Sequence, residues 1–281
     1  MKQLTLNLLH QDRSDIAYRT LTFNDGEPHI WIDEFDRKSY IKVICRIANP
    51  ADLFLLMQVA DIMRRHGAEW VLKITYLMSQ RMDRVMSFGE ALSLDVVTGI
   101  LNGFGADKIC ILEPHSGRID RKVKNVVPFC GINQQPGIVF DRDIIVHPDA
   151  GAASRYADDP HTKIVANKKR DPKDGHITSL TLADDADDIV SANPGSPFLV
   201  VDDLCDGGGT FVRLAQLLGA RYPDRERRIF VTHMVNARGI QALADNYQQV
   251  TFTNSFREWR KADGITLPDN VRVVDIDKAW R

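Results

Sequence analysis

The stretch Phe198-Leu199-Val200-Val201-Asp202-Asp203-Leu204-Cys205-Asp206-Gly207-Gly208-Gly209-Thr210 governs how the rest of the chain is read. Phe198 to Val201 form an apolar run of strand length. Two carboxylates follow, Asp202 and Asp203, then Asp206, three glycines and Thr210. Val212, Leu214, Leu217 and Leu218 next supply the apolar side of a helix. Strand, acidic pair, glycine-rich turn and helix together describe a site at the carboxyl end of a strand in an α/β sheet. Glycines let backbone N–H groups close around phosphate oxygens, and a helix N-terminus adds partial positive charge. The two carboxylates stand where they could hold ribose hydroxyls or a metal. An ordinary strand–turn–helix with a glycine bend would leave three Asp and three Gly within eight residues unexplained.

Composition narrows the function classes. The chain has 281 residues, 44% apolar and 26% charged, which is ordinary for a soluble globular protein able to bury a sizeable core. That length suits one large or two medium domains. A net charge of −2 leaves no cation excess to neutralise a nucleic-acid backbone, so nucleic acid is not expected as a partner. Cys45, Cys110, Cys130 and Cys205 form no CxxC pair, and three of them lie in or beside apolar runs. Buried thiols are therefore expected rather than disulfides or zinc ligands. No apolar run reaches the ~18 residues of a membrane span, and residues 1–15 lack the apolar core of a signal peptide. A cytoplasmic enzyme is the expectation.

Strand-like and helix-like patterns alternate along the chain. Strands are expected over residues 4–9, 30–32 and 41–45, the last two as a short pair around the turn at 36–39. A helix follows over 52–66, with Leu53, Leu56, Met57, Val59, Ala60 and Met63 at helical spacing. Next come a strand over 69–75, a helix over 92–104 and a strand over 108–112. Beyond Pro128 the rhythm restarts, with strands over 144–146 and 163–166 around a short helix over 152–157. The strand from Phe198, a helix over 211–222, a strand over 228–233, a helix over 238–247 and strands over 250–253 and 271–274 complete it. Such alternation implies mostly parallel sheets covered on both faces. The restart divides the chain into two α/β domains, 1–130 and 131–281.

Other segments carry more polar chemistry than their positions require. Phe23-Asn-Asp-Gly-Glu27 is a turn between strands, and taken alone it reads as a simple Asp-Gly hairpin. Ser79-Gln-Arg-Met-Asp-Arg84 follows a strand, where the planar fork of Arg81 suits phosphate, although a solvated loop would look similar. Glu113-Pro-His-Ser-Gly117 puts His115 at a strand end, as a metal-ligand or acid–base candidate. His147-Pro-Asp-Ala-Gly-Ala152 offers Asp149 to a divalent cation. Asn167-Lys-Lys-Arg-Asp171 offers Lys168 and Arg170 to charge developing on a transferring phosphoryl group.

Taken in order, these segments resemble the ribose-phosphate diphosphokinase (phosphoribosyl-pyrophosphate synthetase) family over nearly the whole chain. The Phe198–Thr210 stretch alone would fit any phosphoribosyltransferase. The narrower resemblance depends on Asp25-Gly-Glu27, Arg81-Met-Asp-Arg84, His115, Pro148-Asp-Ala-Gly151 and Lys168-Lys-Arg170 occurring with it, in register. It implies two domains of the type I phosphoribosyltransferase-like fold, the first binding ATP and the second a ribose phosphate. Phe23, Asp25 and Glu27 would hold adenine, typically across to a neighbouring subunit, which implies a homo-oligomer (a dimer or hexamer). Arg81, with Met82 and Asp83, would face the ATP phosphates. His115 and Asp149 would be Mg²⁺ ligands. Lys168 and Arg170 would lie on a mobile loop over the reacting phosphates. Asp202 and Asp203 would bind ribose hydroxyls, and Asp206, Gly207, Gly208, Gly209 and Thr210 the 5-phosphate. The implied reaction moves a diphosphate from ATP to the anomeric hydroxyl of ribose 5-phosphate and leaves AMP.

Three positions depart from the family pattern. Met82 stands where Gln is usual, Glu113-Pro114 where Asp-Leu is usual, and Gly207 where Thr is usual. The last removes a hydroxyl donor and a side chain from the 5-phosphate pocket. This raises a second expectation, an acceptor substituted on its 5-phosphate such as ADP-ribose. A phosphoribosyltransferase would share Asp202–Thr210 without needing ATP. A regulatory homologue would tend to lose the lysine or the metal ligands, all of which are present.

Overall fold

A computed structural model describes residues 2–129, 138–170, 177–259 and 264–276. The chain forms two compact units, Met1–Cys130 and Gly131–Arg281.

In the first unit, β1 (Gln3–Asn7), β4 (Tyr40–Ile47), β5 (Trp70–Leu77), β6 (Lys108–Leu112) and β7 (Val126–Phe129) form a parallel sheet in that spatial order. Its central strands read as near-continuous apolar runs because both faces are covered. The helix α1 (Pro50–His66) is started by a capping box between Asn49 and Asp52 and stopped at Gly67, whose φ of 62° suits glycine. Leu53, Leu56, Val59, Ala60 and Met63 bury one face of it, whereas Met57 points to solvent at 41% exposure. The helices α2 (Ser93–Leu101) and α3 (Arg118–Lys122) follow β5 and β6. The strand near residue 30 does not pair with the one near residue 41, as the sequence had suggested. β2 (Tyr18–Thr22) and β3 (Pro28–Ile32) instead form an antiparallel hairpin of their own. Gln58 of α1 ties that hairpin down, accepting from Ile30 N at 3.2 Å and donating to Pro28 O at 2.7 Å.

The second unit holds a seven-stranded sheet in the order β10-β9-β8-β11-β12-β13-β14. Its strands are β8 (Ile144–His147), β9 (Lys163–Arg170), β10 (Ile177–Leu182), β11 (Phe198–Cys205), β12 (Arg227–Met234), β13 (Gln249–Thr253) and β14 (Val271–Val274). All pairings are parallel except β9 with β10. The helices are α4 (Ala150–Arg155), α5 (Ala186–Ala192), α6 (Gly209–Arg221) and α7 (Ala237–Ala244). From β8 the chain moves outward to β9 and β10, then crosses back to β11 and continues the other way. The strand order therefore reverses between β8 and β11, and such switch points open a crevice at the carboxyl ends of the strands. The first unit's parallel sheet has no such reversal: β1, β4, β5, β6 and β7 succeed one another in one direction.

β9 runs four residues beyond the strand expected over 163–166. Its Lys-rich half has no apolar alternation and is held by the β10 ladder, with Lys168 opposite Leu180 and Asn167 opposite Thr181. Cys45, Cys110 and Cys205 are buried free thiols, while Cys130 lies outside the described residues.

Candidate active site

The acidic pair lies inside β11, not after it. The strand continues through Asp202 and Asp203, with parallel pairing from Asp202 to Val231 and from Leu204 to His233. Asp202 is 9% exposed and Asp203 1%. Two carboxylates buried this deeply require a cation, and Arg155 at the end of α4 supplies it. Its Nη2 is 2.7 Å from Asp203 Oδ1 and also contacts Asp202 Oδ1. Burial and the neighbouring Asp203 charge push the Asp202 carboxyl well above its ordinary range, with Arg155 opposing them. Burial likewise disfavours the Arg155 cation, yet Asp203 and Asp202 outweigh it and hold its pKa above the ordinary value.

The glycine turn closes over α7. Gly208, at φ 79°, caps the start of α6, and a Cβ there would stand 3.3 Å from that of Ala242. Gly239 in α7 lets the two segments touch, since a Cβ there would lie 2.2 Å from the Asp206 carbonyl oxygen. Asn236, the α7 cap, donates from Nδ2 to Asp206 Oδ1 at 3.1 Å and accepts from Arg238 N at 3.0 Å. Gly207 and Gly209 face open space: a Cβ at either would meet nothing within 4 Å, and neither has a positive φ. α6 starts at Gly209, so the N–H groups of its first turn lie at this loop.

On the other side of the switch point, β8 ends at His147 and Asp149 caps α4, accepting from Ala152 N at 2.9 Å. Its second oxygen, Oδ2, is 2.5 Å from Lys168 Nζ. Burial raises the Asp149 carboxyl, but Lys168 and the Ala152 amide together hold it below its ordinary value. Lys168 is thus on a strand and already partnered, rather than on a loop. Arg170 ends that strand, and its side chain lies outside the described residues. No group of three or more His, Cys, Asp or Glu among the described residues could enclose a metal. A hard cation that takes one or two carboxylates and finds its other oxygens on phosphates and water still fits Asp149. Lys168 Nζ is a cation standing on that same carboxylate.

Within the first unit, Phe23 to Glu27 form the turn of the β2–β3 hairpin, closed by Phe23 N to Glu27 O at 2.9 Å and by Glu27 N to Asp25 Oδ1 at 3.1 Å. Phe23 is 47% exposed, and Glu27 lines a cavity of about 650 Å³ with Trp31, Phe54, Met57 and Arg65. The carboxyl ends of the neighbouring strands β5 and β6 bring the 79–84 and 113–117 segments together. Gln80, fully buried, accepts from His115 N at 3.3 Å. Asp83 is buried beside Arg84, whose Nε is 3.0 Å away. Burial raises the Asp83 carboxyl, but Arg84, Ser116 and the His115 charge hold it below its ordinary value. Arg81 and Met82 are exposed in the same turn. The positive φ of Ser79 (64°) and Glu113 (43°) marks both strand exits as sharply bent.

Sequence reasoning passed over Arg155, Asn236 and Gln80. Asn236, just before an apolar helical run, carried an N-cap signal that could have been used. A single arginine in a short helix carried none.

No family model matches the chain. A ribose-phosphate pyrophosphokinase of Aquifex aeolicus is 25% identical over 262 residues, covering 86% of this chain and 80% of that protein. One of Sulfurisphaera tokodaii is 24% identical over 271 residues, covering 92% and 88%. One of Saccharolobus solfataricus is 29% identical over 215 residues, covering 71% of each. The crystal structure of phosphoribosylpyrophosphate synthetase from Mycobacterium smegmatis matches with a TM-score of 0.75 at 19% identity, over 100% of this chain and 96% of that one. The fold is accordingly type I phosphoribosyltransferase-like, with mostly parallel sheets flanked by helices. No helix of the described residues is long and apolar enough to cross a membrane.

Proposed function

The chain belongs to the ribose-phosphate pyrophosphokinase family, and from that premise we propose that it transfers a diphosphate from ATP to the anomeric hydroxyl of a ribose phosphorylated at C5. The acceptor oxygen forms a bond to the β-phosphorus, the bond from that phosphorus to the α-phosphate oxygen breaks, AMP departs, and the hydroxyl proton is released. The observation that carries this reading is the convergence of Asp202, Asp203, Asp149, Lys168 and the 206–210 turn on one switch point.

Little covalent chemistry falls to the protein in such a transfer, so positioning and charge neutralisation dominate. Asp202 and Asp203 would accept hydrogen bonds from the ribose hydroxyls. The amides of the 207–210 turn would hold the 5-phosphate, aided by the α6 N-terminus. Lys168, with Arg170 beyond it, would meet the charge that shifts toward AMP. In the second unit Asp149 would be a ligand to Mg²⁺, which when bound supplies neutralisation of the phosphate oxygens; His115 is the first unit's own candidate ligand. Phe23, Asp25 and Glu27 would hold adenine, and Arg81 the ATP phosphates. An adenine site completed across subunits would make the working form at least a dimer.

Ribose 5-phosphate is the simplest acceptor. A second reading, a ribose whose 5-phosphate carries a further group, as in ADP-ribose, is favoured by Gly207 and Gly209. The fold does not demand glycine at either position, and both leave open space where a side chain would fit. A phosphodiester needs that room and carries one charge less than a monoester dianion. An acceptor screen with Mg-ATP, following AMP and product mass, tests both readings. AMP release that depends on either acceptor supports the transfer, and the preferred acceptor selects the reading. AMP release with neither contradicts both.

A further inference from the structure

We infer that Arg155 is a positioning residue for the acceptor, holding the Asp202 and Asp203 carboxylates side by side for a vicinal diol and joining them to the Asp149–Lys168 pair. The inference rests on reading Asp202 and Asp203 as the diol-binding pair.

α4 begins at the Asp149 cap and ends at Arg155, so this short helix carries one group for each side of the switch point. The guanidinium bonds to the acidic pair, and its charge also reaches Asp149, whose carboxyl it helps to hold below its ordinary value. Nη2 contacts Asp203 Oδ1 at 2.7 Å and Asp202 Oδ1 as well. Nη1 turns to the Gly151 side, where a Cβ would lie 3.9 Å from it and 3.1 Å from Asp149 Oδ1. The side chain of Arg155 is 16% exposed, that of Asp202 13% and that of Asp203 1%. Water therefore screens the two carboxylates poorly, and their repulsion must be met by a fixed cation.

One guanidinium nitrogen, Nη2, bridges the two carboxylates, so a single buried cation fixes where both Oδ1 atoms stand. Two hydroxyls on adjacent carbons donate two hydrogen bonds, and two carboxyl groups held at fixed separation offer the matching acceptor oxygens. The cluster contains three carboxylates, Asp149, Asp202 and Asp203, and two cations, Arg155 and Lys168. Arg155 acts through its carboxylates and not on the reacting atoms.

The test uses the full chain with Arg155→Gln and Arg155→Lys, measuring KM for ribose 5-phosphate, KM for ADP-ribose, KM for ATP and the thermal midpoint. In Arg155→Gln the KM of the preferred acceptor is expected to rise at least about thirtyfold, while that for ATP stays within about twofold, as for a buried charge pair left without its partner. A purely structural role would lower the thermal midpoint and the active fraction and leave the acceptor KM in place, and that result overturns the inference. Should Arg155→Gln fail to fold, calorimetric binding of the acceptor to wild type and Arg155→Lys decides. A roughly tenfold weaker binding is expected, since an ammonium on a flexible stem does not reproduce the fixed position of Nη2 between the two oxygens, and equal affinity overturns the inference. Wild-type turnover with an unmoved acceptor KM in Arg155→Gln rejects this inference alone. Wild-type protein that neither binds nor turns over either acceptor rejects the proposed function with it.

Discussion

Lys168 and Asp149 form a pair before any triphosphate arrives, with Nζ 2.5 Å from Oδ2. A lysine held there is in place before the donor binds, which is how charge contacts lower a barrier without reorganisation. Lys168→Ala is expected to lower kcat about 100- to 1,000-fold, with a smaller change in ATP KM, as for other preorganised donors; steady-state kinetics checks this. The sequence already singled out Lys168 as a cation for the phosphates, but it did not disclose the carboxylate it rests on. Cys205 gives a second test at this scale. Burial, then the Asp206 and Asp202 charges, push its thiol up to about 12. The folded state therefore keeps a proton that the unfolded chain gives up. The associated stability is present below the unfolded thiol pKa of about 9 and is lost as the pH rises toward 12. Iodoacetamide at pH 8 should leave Cys205 unlabelled in native protein and label it in denaturant. Labelling of the native thiol would contradict the buried placement.

Elements with strong local signals were legible, and those held by distant partners were not. β11 announced itself through four apolar residues and two carboxylates, and α1 through Pro50 and a helical apolar stripe. The second half of β9 hid because Asn167, Lys168 and Lys169 read as a solvated loop. Only pairing with β10 makes them strand. The β3 pairing was misassigned because a three-residue apolar run carries no information about its partner. Arg155 was invisible for a related reason: the charges that explain it lie 47 and 48 residues away. Two substitutions probe the elements. Asn49→Ala removes the α1 capping box and is expected to cost about 1 kcal/mol, read from the denaturation midpoint. Gly239→Ala forces α7 away from the Asp206 carbonyl. It should raise the acceptor KM more than it lowers the thermal midpoint. An unchanged KM would detach the 206–210 turn from acceptor binding.

At the scale of the molecule, sheet topology places the chemistry. Asp149 and Lys168 come from one side of the reversal in the second unit's sheet, and Asp202 and Asp203 from the other. The alternating pattern made the α/β class legible, yet a strand order that reverses cannot be read from alternation. Light scattering should find at least a dimer under assay conditions. A monomer with full turnover would contradict an adenine site completed by a neighbouring hairpin. The central claim concerns which phosphorus is attacked. Phosphorus NMR of the reaction with Mg-ATP and the preferred acceptor should show the β- and γ-phosphates leaving together onto C1, with one AMP formed per product. ADP formed together with a monophosphorylated acceptor, or AMP formed equally without acceptor, would contradict it.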